Sequence, residues 1–468
     1  MGSGMVVSFV SLLLGLTLGV QPVTVAVSEQ VASVELLLDG RSVGTAEPPE
    51  WTVPVDFGTI LSPHELEAVA RGPDGEELGR AVQRINVPRP AAEADVVIEG
   101  AEEGRGAVAR LSWESVAGTE PVAVTASFDG RPLEVSDPHR IPLPAFNPAQ
   151  LHLLQVELEF SETVSAVVEA TLGGTYRNDA WTELTSLPVT PVEGAGRLEL
   201  EDLEGWFATI DGELLKAVAL EEGPAEAVFV LDRQAQWDVW QLGRRMVIGA
   251  AVDQGPIERS GQTGSGARRY GDAVGRPDVS KLRYTLQLDR GQYSWLLWPI
   301  AEPVGDESDG TRRAMELFPR SGEYSPSDAG VLWLLSEARL PKFELAEQRL
   351  VDAVAVAGMT ATLRSRRRAV VLVLSERPVD SSRLRPSVVR HYLAQIGVPL
   401  FVWVVGEVSE PMRRVWGSVR SVDARHRFAE AVQELSEALE AQRIVWFEGS
   451  HLPQEIVVTG QAKVRRVR

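Results

Sequence analysis

The chain has 468 residues, 44% of them hydrophobic, and sets 46 Lys plus Arg against 66 Asp plus Glu for a formal net charge of -20. At about 150 residues per domain that length predicts roughly three domains with sizeable cores, and the acidic balance disfavours nucleic acid and anionic membrane surfaces as partners. The absence of cysteine excludes thiol nucleophiles, cysteine-ligated zinc and disulfides, and it leaves the compartment open because large domains fold without disulfides.

Met5 to Val20 is an uncharged apolar run. As a signal or anchor it lacks a preceding Lys or Arg and a following small-residue cleavage site, and it falls short of the roughly 20 residues that span a bilayer. The favoured expectation is that Val6 to Leu12 forms the first strand of a β-sandwich and Gln21 to Val27 the second; any membrane association would have to come through this segment. Farther on, Leu38-Asp-Gly-Arg-Ser-Val43 and Phe128-Asp-Gly-Arg-Pro-Leu133 repeat one another, each with an Asp-Gly pair between apolar alternating runs, the pattern of a tight hairpin turn. The agreement continues at nearly constant offset: Trp51 to Phe57 parallels Arg140 to Phe146, and His64 to Ala70 parallels His152 to Leu158. Two similar β modules are therefore expected, over residues 1–90 and 95–182, with the proline-containing stretch Val87 to Glu93 as a stiff linker. Short strands with turn signals about every 10 residues fit antiparallel sandwiches, and these segments resemble bacterial immunoglobulin-like modules.

From about residue 183 the pattern changes. Residues 183–222 read as a β lead-in with a turn at Asp211-Gly212, and residues 223–460 alternate between strand and helix. Ala227 to Leu231 is an apolar strand ending on Asp232. A helix follows whose expected buried face is Trp237, Trp240, Met246 and Val247, and a later helix carries Leu345, Leu350, Val351 and Val354 and stops at Gly358. Ala369 to Leu374 and Leu400 to Val405 read as buried parallel strands. Between them Pro386 opens a helix, with Val389, Tyr392, Leu393 and Ile396 inward and Gly397 closing it. Phe428, Val432, Leu435 and Leu439 stripe a last helix before a strand at Ile444 to Phe447, and residues 461–468 read as a basic tail. Repeated strand-helix units predict an α/β doubly wound parallel sheet, so the whole is expected to be two all-β sandwiches followed by an α/β domain.

The strand ending on Asp232, the passage Arg367-Arg-Ala-Val-Val-Leu-Val-Leu-Ser-Glu376 and the following Val398-Pro-Leu-Phe-Val-Trp-Val404 resemble a von Willebrand factor A-related family of Acidobacterial type. The resemblance implies a metal site at the carboxyl edge of the sheet, built from an Asp-x-Ser-x-Ser loop, a Thr and a late Asp. Asp232 fits the first position, but Gln234 and Gln236 replace both serines and Glu376 replaces the late Asp. Ser325 to Leu332 is the only neighbourhood for the Thr. A near-octahedral Mg²⁺ site needs more matching oxygen ligands than that, so no cofactor and no metal are expected. The favoured alternative is that Asp232 caps the following helix while Glu376 is solvated; a rearranged Mg²⁺ or Ca²⁺ site at Asp232, Gln234, Gln236 and Glu376 is the competing one.

Other candidate chemistry is thin. Gly261 to Arg269 has phosphate-loop glycines but Ala267 and Arg268 where Lys and Ser or Thr belong, and reads as a surface loop able to carry a partner contact. Asp306-Glu-Ser-Asp-Gly310 lacks the spacing of a calcium loop. His64, His139, His152, His391, His426 and His451 form no metal-ligand pair, and Ser375 lacks the nucleophile-elbow glycines. The basic runs at Arg364 to Arg368 and Arg465 to Arg468 read as solvated faces or polar partner contacts. With no coherent nucleophile and base, enzymatic activity is not expected. The expectation is an extracytoplasmic protein, cell-surface, periplasmic or secreted, that binds other proteins in adhesion or as a scaffold. Two alternatives are a structural subunit of a larger envelope assembly and metal-dependent ligand binding at Asp232 and Glu376.

Overall fold

A computed structural model describes residues 7–467 except 12, 14, 28–29, 88–91, 100–105, 116–119, 148–151, 162–163, 173–183, 253–291, 301, 305–314, 322–330, 332–333, 336–346 and 461. The glycine-rich stretch at 261–269, the acidic turn at 306–310, Leu345 and the Ser325 neighbourhood lie wholly or mostly outside the described residues. The chain divides into two compact units, one of residues 1–183 with 303–317 and one of residues 184–302 with 318–468.

The first unit holds two sandwiches of the same topology. In the first, strands β1 (Val7–Phe9), β2 (Val20–Val27), β3 (Ser33–Leu38), β4 (Arg41–Ala46), β5 (Thr52–Asp56), β6 (His64–Arg71) and β7 (Glu77–Ile85) form sheets ordered β1-β2-β5 and β4-β3-β6-β7. In the second, β8 (Ala92–Glu99), β9 (Val108–Ser115), β10 (Ala123–Phe128), β11 (Arg131–Leu133), β12 (Ile141–Pro142), β13 (His152–Ser161) and β14 (Val164–Leu172) form β12-β9-β8 and β11-β10-β13-β14. Strand for strand the two orders match, as the internal repeat predicts, and both are antiparallel immunoglobulin-like sandwiches. Val7 and Phe9 enter the first core opposite Val27 and Val25. The strand at the apolar N-terminal run is thus shorter than the expected Val6 to Leu12.

The repeated Asp-Gly pairs are two-residue turns with positive φ at both positions: 51° and 72° at Asp39-Gly40, 51° and 73° at Asp129-Gly130. Each turn is clipped to the neighbouring strand by the same device. Asp39 Oδ1 accepts from the Glu65 amide at 2.9 Å and its Oδ2 meets His64 Nδ1 at 2.7 Å; Asp129 does the same with the Leu153 amide at 3.0 Å and His152 Nδ1 at 2.7 Å. The paired histidines of the repeat therefore hold turns in place. His152 has a further partner, its Nε2 lying 3.0 Å from the Asn147 carbonyl.

In the second unit, β18 (Ala225–Leu231) sits between β19 (Gln292–Leu297) and β22 (Arg367–Leu374), and β23 (Leu400–Val404) and β24 (Arg420–Ser421) extend the sheet to the order β19-β18-β22-β23-β24, all parallel. Ahead of this sheet in the chain come β15 (Leu184–Pro191), β16 (Phe207–Thr209) and β17 (Ala217–Glu221); β20 (Glu302–Val304) pairs with β21 (Met315–Leu317), whose residues fall in the first unit. Every residue of β18 is buried, which is why the run reads as continuously apolar. Helices α1 (Arg233–Val252) and α5 (Arg425–Glu440) pack on one face through Ala235, Val239, Leu242, Phe428, Val432, Leu435 and Leu439. On the other face lies α2 (Leu350–Ala361), with α3 (Pro386–Gln395) against it and α4 (Glu410–Trp416) beside α3. The doubly wound α/β arrangement is present.

Four expectations need correction. Of the face expected on α1, Trp237 is 61% exposed and Trp240 half-buried, while the side chains of Met246 and Val247 lie outside the described ones; the buried stripe among the described side chains is Ala235, Val239 and Leu242, because small residues let the helix lie close to the sheet. Helix α2 runs through Gly358 to Ala361; a Cβ at Gly358 would fall 2.0 Å from Leu393 Cδ2, so this glycine is a close-approach point for α3. The strand at Ile444 to Phe447 belongs to β25 (Arg443–Glu448), which leaves the parallel sheet and pairs antiparallel with β15 and β17. And the basic tail is no tail: β27 (Val464–Arg466) pairs with β15, while β26 (Ile456–Val458) pairs with β16. That second sheet, β17-β25-β15-β27, has its own core around Leu187, Phe207, Val445 and Phe447.

The two basic runs are held in structure more than in solvent. Arg368 is 3% exposed and burial pushes its guanidinium down to about 10, a fall that the Glu226 charge opposes. Arg366 lies over the Tyr293 ring at 4.6 Å with Glu226 3.5 Å away, and Arg466 donates to the Gln395 carbonyl at 2.8 Å. His391 is exposed, as its helix pattern predicts. No helix among the described residues is long and apolar enough to cross a membrane.

Candidate functional site: a cleft at the carboxyl edge of the parallel sheet

Strand order reverses at β18, whose neighbours are β19 on one side and β22 on the other, and open α/β sheets form their crevices outside the carboxyl ends of strands at such a point. Here an open cleft of about 660 Å³ is lined by Gln234, Trp237 and Asp238 of α1, by Ser375, Glu376 and Arg377 after β22, and by Val405 after β23. Two of these, Gln234 and Glu376, are ligand positions that the resemblance singled out, and the other five were not read as ligand positions.

Asp232 lies beneath the cleft, fully buried. Its Oδ1 accepts from the Gln234 amide and from Gln348 Nε2, both at 3.0 Å. Its Oδ2 accepts from the Ser375 amide at 2.9 Å and the Ser375 hydroxyl at 2.5 Å. An ionised carboxylate offers about four lone-pair sites, and four protein donors fill them. The bond from the Gln234 amide is a helix N-cap. Gln348 extends the arrangement: its Oε1 accepts from the Arg233 amide at 2.8 Å and its Nε2 also donates to the Val379 carbonyl at 2.7 Å. One side chain thus ties the start of α1 to the loop after β22.

The other predicted positions divide. Gln234 Oε1 lies 3.3 Å from the Ser375 hydroxyl, beside Asp232. Gln236 donates its backbone N–H to the Asp232 carbonyl at 3.1 Å as part of the helix. Glu376 is exposed but is not merely solvated: its Oε1 accepts from the Glu407 amide at 3.0 Å. Gly406, with φ of 140°, lies so close that a Cβ there would sit 2.4 Å from Glu376 Cγ. Among the described residues, no group of three or more His, Asp and Glu side chains is placed to share an ion.

Asp238 was not anticipated. Burial and, after it, the charges of Glu376 and Asp232 hold its carboxyl above its ordinary value. Beside it Trp237 stacks on Trp240, ring centroids 4.9 Å apart at 22°. The signal that could have found this rim was that tryptophans three apart stand on the opposite side of the helix from Ala235, Val239 and Leu242. Gln348 left no signal, since an isolated glutamine carries no pattern.

No family model matches the chain, and no curated protein matches it. Among solved structures, the central fibronectin-III array of RIM-binding protein is similar at 11% identity with a TM-score of 0.24, covering 41% of this chain and 80% of that one. The fibronectin(III)-like modules of Clostridium thermocellum CbhA are similar at 13% identity with a TM-score of 0.16, covering 36% and 94%. Proximal thread matrix protein 1 from the mussel byssus follows at 11% identity and a TM-score of 0.27, covering 49% of this chain and 50% of that chain.

Proposed function

We propose that the chain is a non-enzymatic, extracytoplasmic recognition protein whose α/β unit is von Willebrand A-like and binds another protein in the cleft above Asp232. The observation that carries this reading is a solvent-open cleft at the strand-order reversal whose rim exposes Trp237, while the carboxylate beneath it is consumed by four protein donors. Clefts of this size, with a few convergent polar groups and an aromatic wall, suit ligand recognition, and exposed tryptophan is a frequent anchor of protein interfaces. In this reading the two sandwiches serve as spacers or docking surfaces.

A photo-crosslinking amino acid at Arg377, exposed at the cleft, tests the reading in cells that make the protein. A discrete protein adduct is expected that is absent when the same group replaces Ile60, 56% exposed on the first sandwich. Identical adduct patterns from both positions, or none from position 377, would sink it.

The second reading is metal-dependent binding at Asp232, Gln234, Gln236 and Glu376, favoured by Asp238 beside them, whose carboxyl is raised first by burial and then by the charges of Glu376 and Asp232. Melting in chelator against excess Mg²⁺, Mn²⁺ or Ca²⁺ separates the two. An ion at about 100 times its dissociation constant adds about 2.7 kcal/mol to the folded state, and the recognition reading expects no such gain.

A further inference from the structure

Resting on the recognition reading above, we infer that the occupant of the cleft is a cationic side chain, Arg or Lys, on a segment of the partner protein. Trp237 of α1 supplies the aromatic half: it is 61% exposed and stacked on Trp240. An exposed indole face attracts guanidinium or ammonium groups through its quadrupole. Complementary charge supplies the other half. The described lining has Asp238 and Glu376 as acids and Arg377 as its cation. Asp232 lies behind them, and Glu407 is next to Glu376 through its amide.

The geometry also says which carboxylates are available. Asp232 has given its acceptor positions to Gln234, Gln348 and Ser375. Glu376 has given Oε1 to one amide, which orients it and leaves Oε2 for a ligand. Trp237 and Asp238 both line the cleft, so an entering cation meets an aromatic face and a carboxylate there. Burial and two neighbouring negative charges crowd Asp238, and an entering positive charge would relieve that crowding. A cleft of about 660 Å³ is larger than one side chain and admits the flanking backbone of a partner strand or loop. An acidic or neutral occupant would meet like charge or leave desolvated carboxylates unpaired.

The test uses the full chain at 0.15 M salt with blocked pentapeptides, Gly-Ser-X-Ser-Gly, where X is Arg, Lys, Gln or Glu. Binding is read from the indole N–H resonance of Trp237, assigned by its loss in Trp237→Ala. Saturable shifts with Arg and Lys peptides are expected, with none from Gln or Glu peptides. Asp238→Asn and Glu376→Gln should each weaken the cationic peptides at least 5-fold, whereas Glu199→Gln, at an exposed acid remote in sequence, should leave them unchanged. An equal response to the Gln peptide would overturn the inference, as would an equal loss in Glu199→Gln, which would mark general attraction to a chain of charge -20. Mapping the adduct from position 377 separates the two claims: a partner contact peptide without Arg or Lys overturns the cationic occupant and leaves recognition standing, whereas one centred on such a residue supports both.

Discussion

Replacing Asp232 by Asn distinguishes a structural carboxylate from a vacant ligand, because the two roles predict opposite signs. In the structure Asp232 is fully buried and accepts from the Gln234 amide, Gln348 Nε2, the Ser375 amide and the Ser375 hydroxyl. An asparagine keeps one oxygen and presents an NH₂ group to the other pair of donors. If the oxygen stays with Gln234 and Gln348, the NH₂ meets the Ser375 amide, and although the hydroxyl can rotate to accept, the amide cannot. If the oxygen turns to Ser375, the Gln234 amide loses its acceptor instead. In either orientation one buried backbone N–H is stranded, at a cost of about 1–3 kcal/mol, and the surviving bonds fall from charge-assisted strength of about 1.5–3 kcal/mol to about 0.5–1.5 kcal/mol each. The expected loss is about 3–5 kcal/mol, or a melting point lower by roughly 6–20 °C at about 2–4 °C per kcal/mol for a unit of this size. Only Trp51, Trp113 and Trp181 of the 12 tryptophans precede residue 184, so near-ultraviolet circular dichroism of the full chain in chelator follows chiefly the second unit. A carboxylate waiting for an ion would behave otherwise: its neutralisation would lessen repulsion with Asp238 and Glu376, and Asp232→Asn in chelator would melt at the same temperature or higher. That result would refute the capping argument.

Other expected outcomes follow from single contacts. Gly358→Ala should destabilise the second unit by up to about 2 kcal/mol, the overpacking cost of about 1–3 kcal/mol less a helix-propensity gain of about 1 kcal/mol, because the new Cβ would clash with Cδ2 of buried Leu393; urea unfolding should show the cost of Gly358→Ala shrinking in a Leu393→Ala background. Gly130→Ala should cost the second sandwich about 1–2 kcal/mol, since φ at this position is 73°; loss of hydrogen-exchange protection in β10 and β11 would report it. The Asp129–His152 clip should be strongest in a defined pH window. The hydrogen bond to Asp129 raises His152 above 6.5, so its stabilisation is complete below that value and lost as pH rises through the folded one; Asp129, lowered from 3.8 chiefly by its hydrogen bond to His152, contributes above 3.8 and fails as pH falls through its own folded value. The melting difference between wild type and His152→Ala should therefore be largest near pH 5 and shrink above neutrality; a difference independent of pH would count against an imidazolium at this position.

Legibility in the sequence followed what a side chain's pattern can encode. Strands β18, β22 and β23 announced themselves because strands buried on both faces are continuously apolar, and the sandwiches announced themselves twice over, since Asp39-Gly40 and Asp129-Gly130 need the same positive φ and His64 and His152 the same partner. Pattern says nothing about which neighbour a strand chooses. Ile444 to Phe447 is as apolar as Ala369 to Leu374, yet it pairs with β15 and β17, a contact more than 220 residues away in the chain that only the third dimension supplies. Hydrophobicity misplaced Trp237 for a related reason: Ala235, Val239 and Leu242 already cover the sheet, and the Trp237 indole stands at the surface instead.

That displacement joins the capped carboxylate and the exposed rim into one argument. A metal-using site spends its first-strand carboxylate on the ion and keeps its rim hydrophilic for a coordinating ligand. Here the buried carboxylate is spent on holding α1, the β22 loop and Gln348 together, and the charge that reaches solvent comes from Asp238 and Glu376 beside an open indole. In the proposed recognition reading, structure and binding therefore fall to different residues around the same cleft. Substitutions at Asp232, Gln348 and Ser375 should act on the melting point, and substitutions at Trp237, Asp238 and Glu376 should act on binding with the melting point within about 0.5 kcal/mol of wild type. If Trp237→Ala instead lowered stability as Asp232→Asn does, the indole would be a structural cover, and the division of labour within the cleft would not hold.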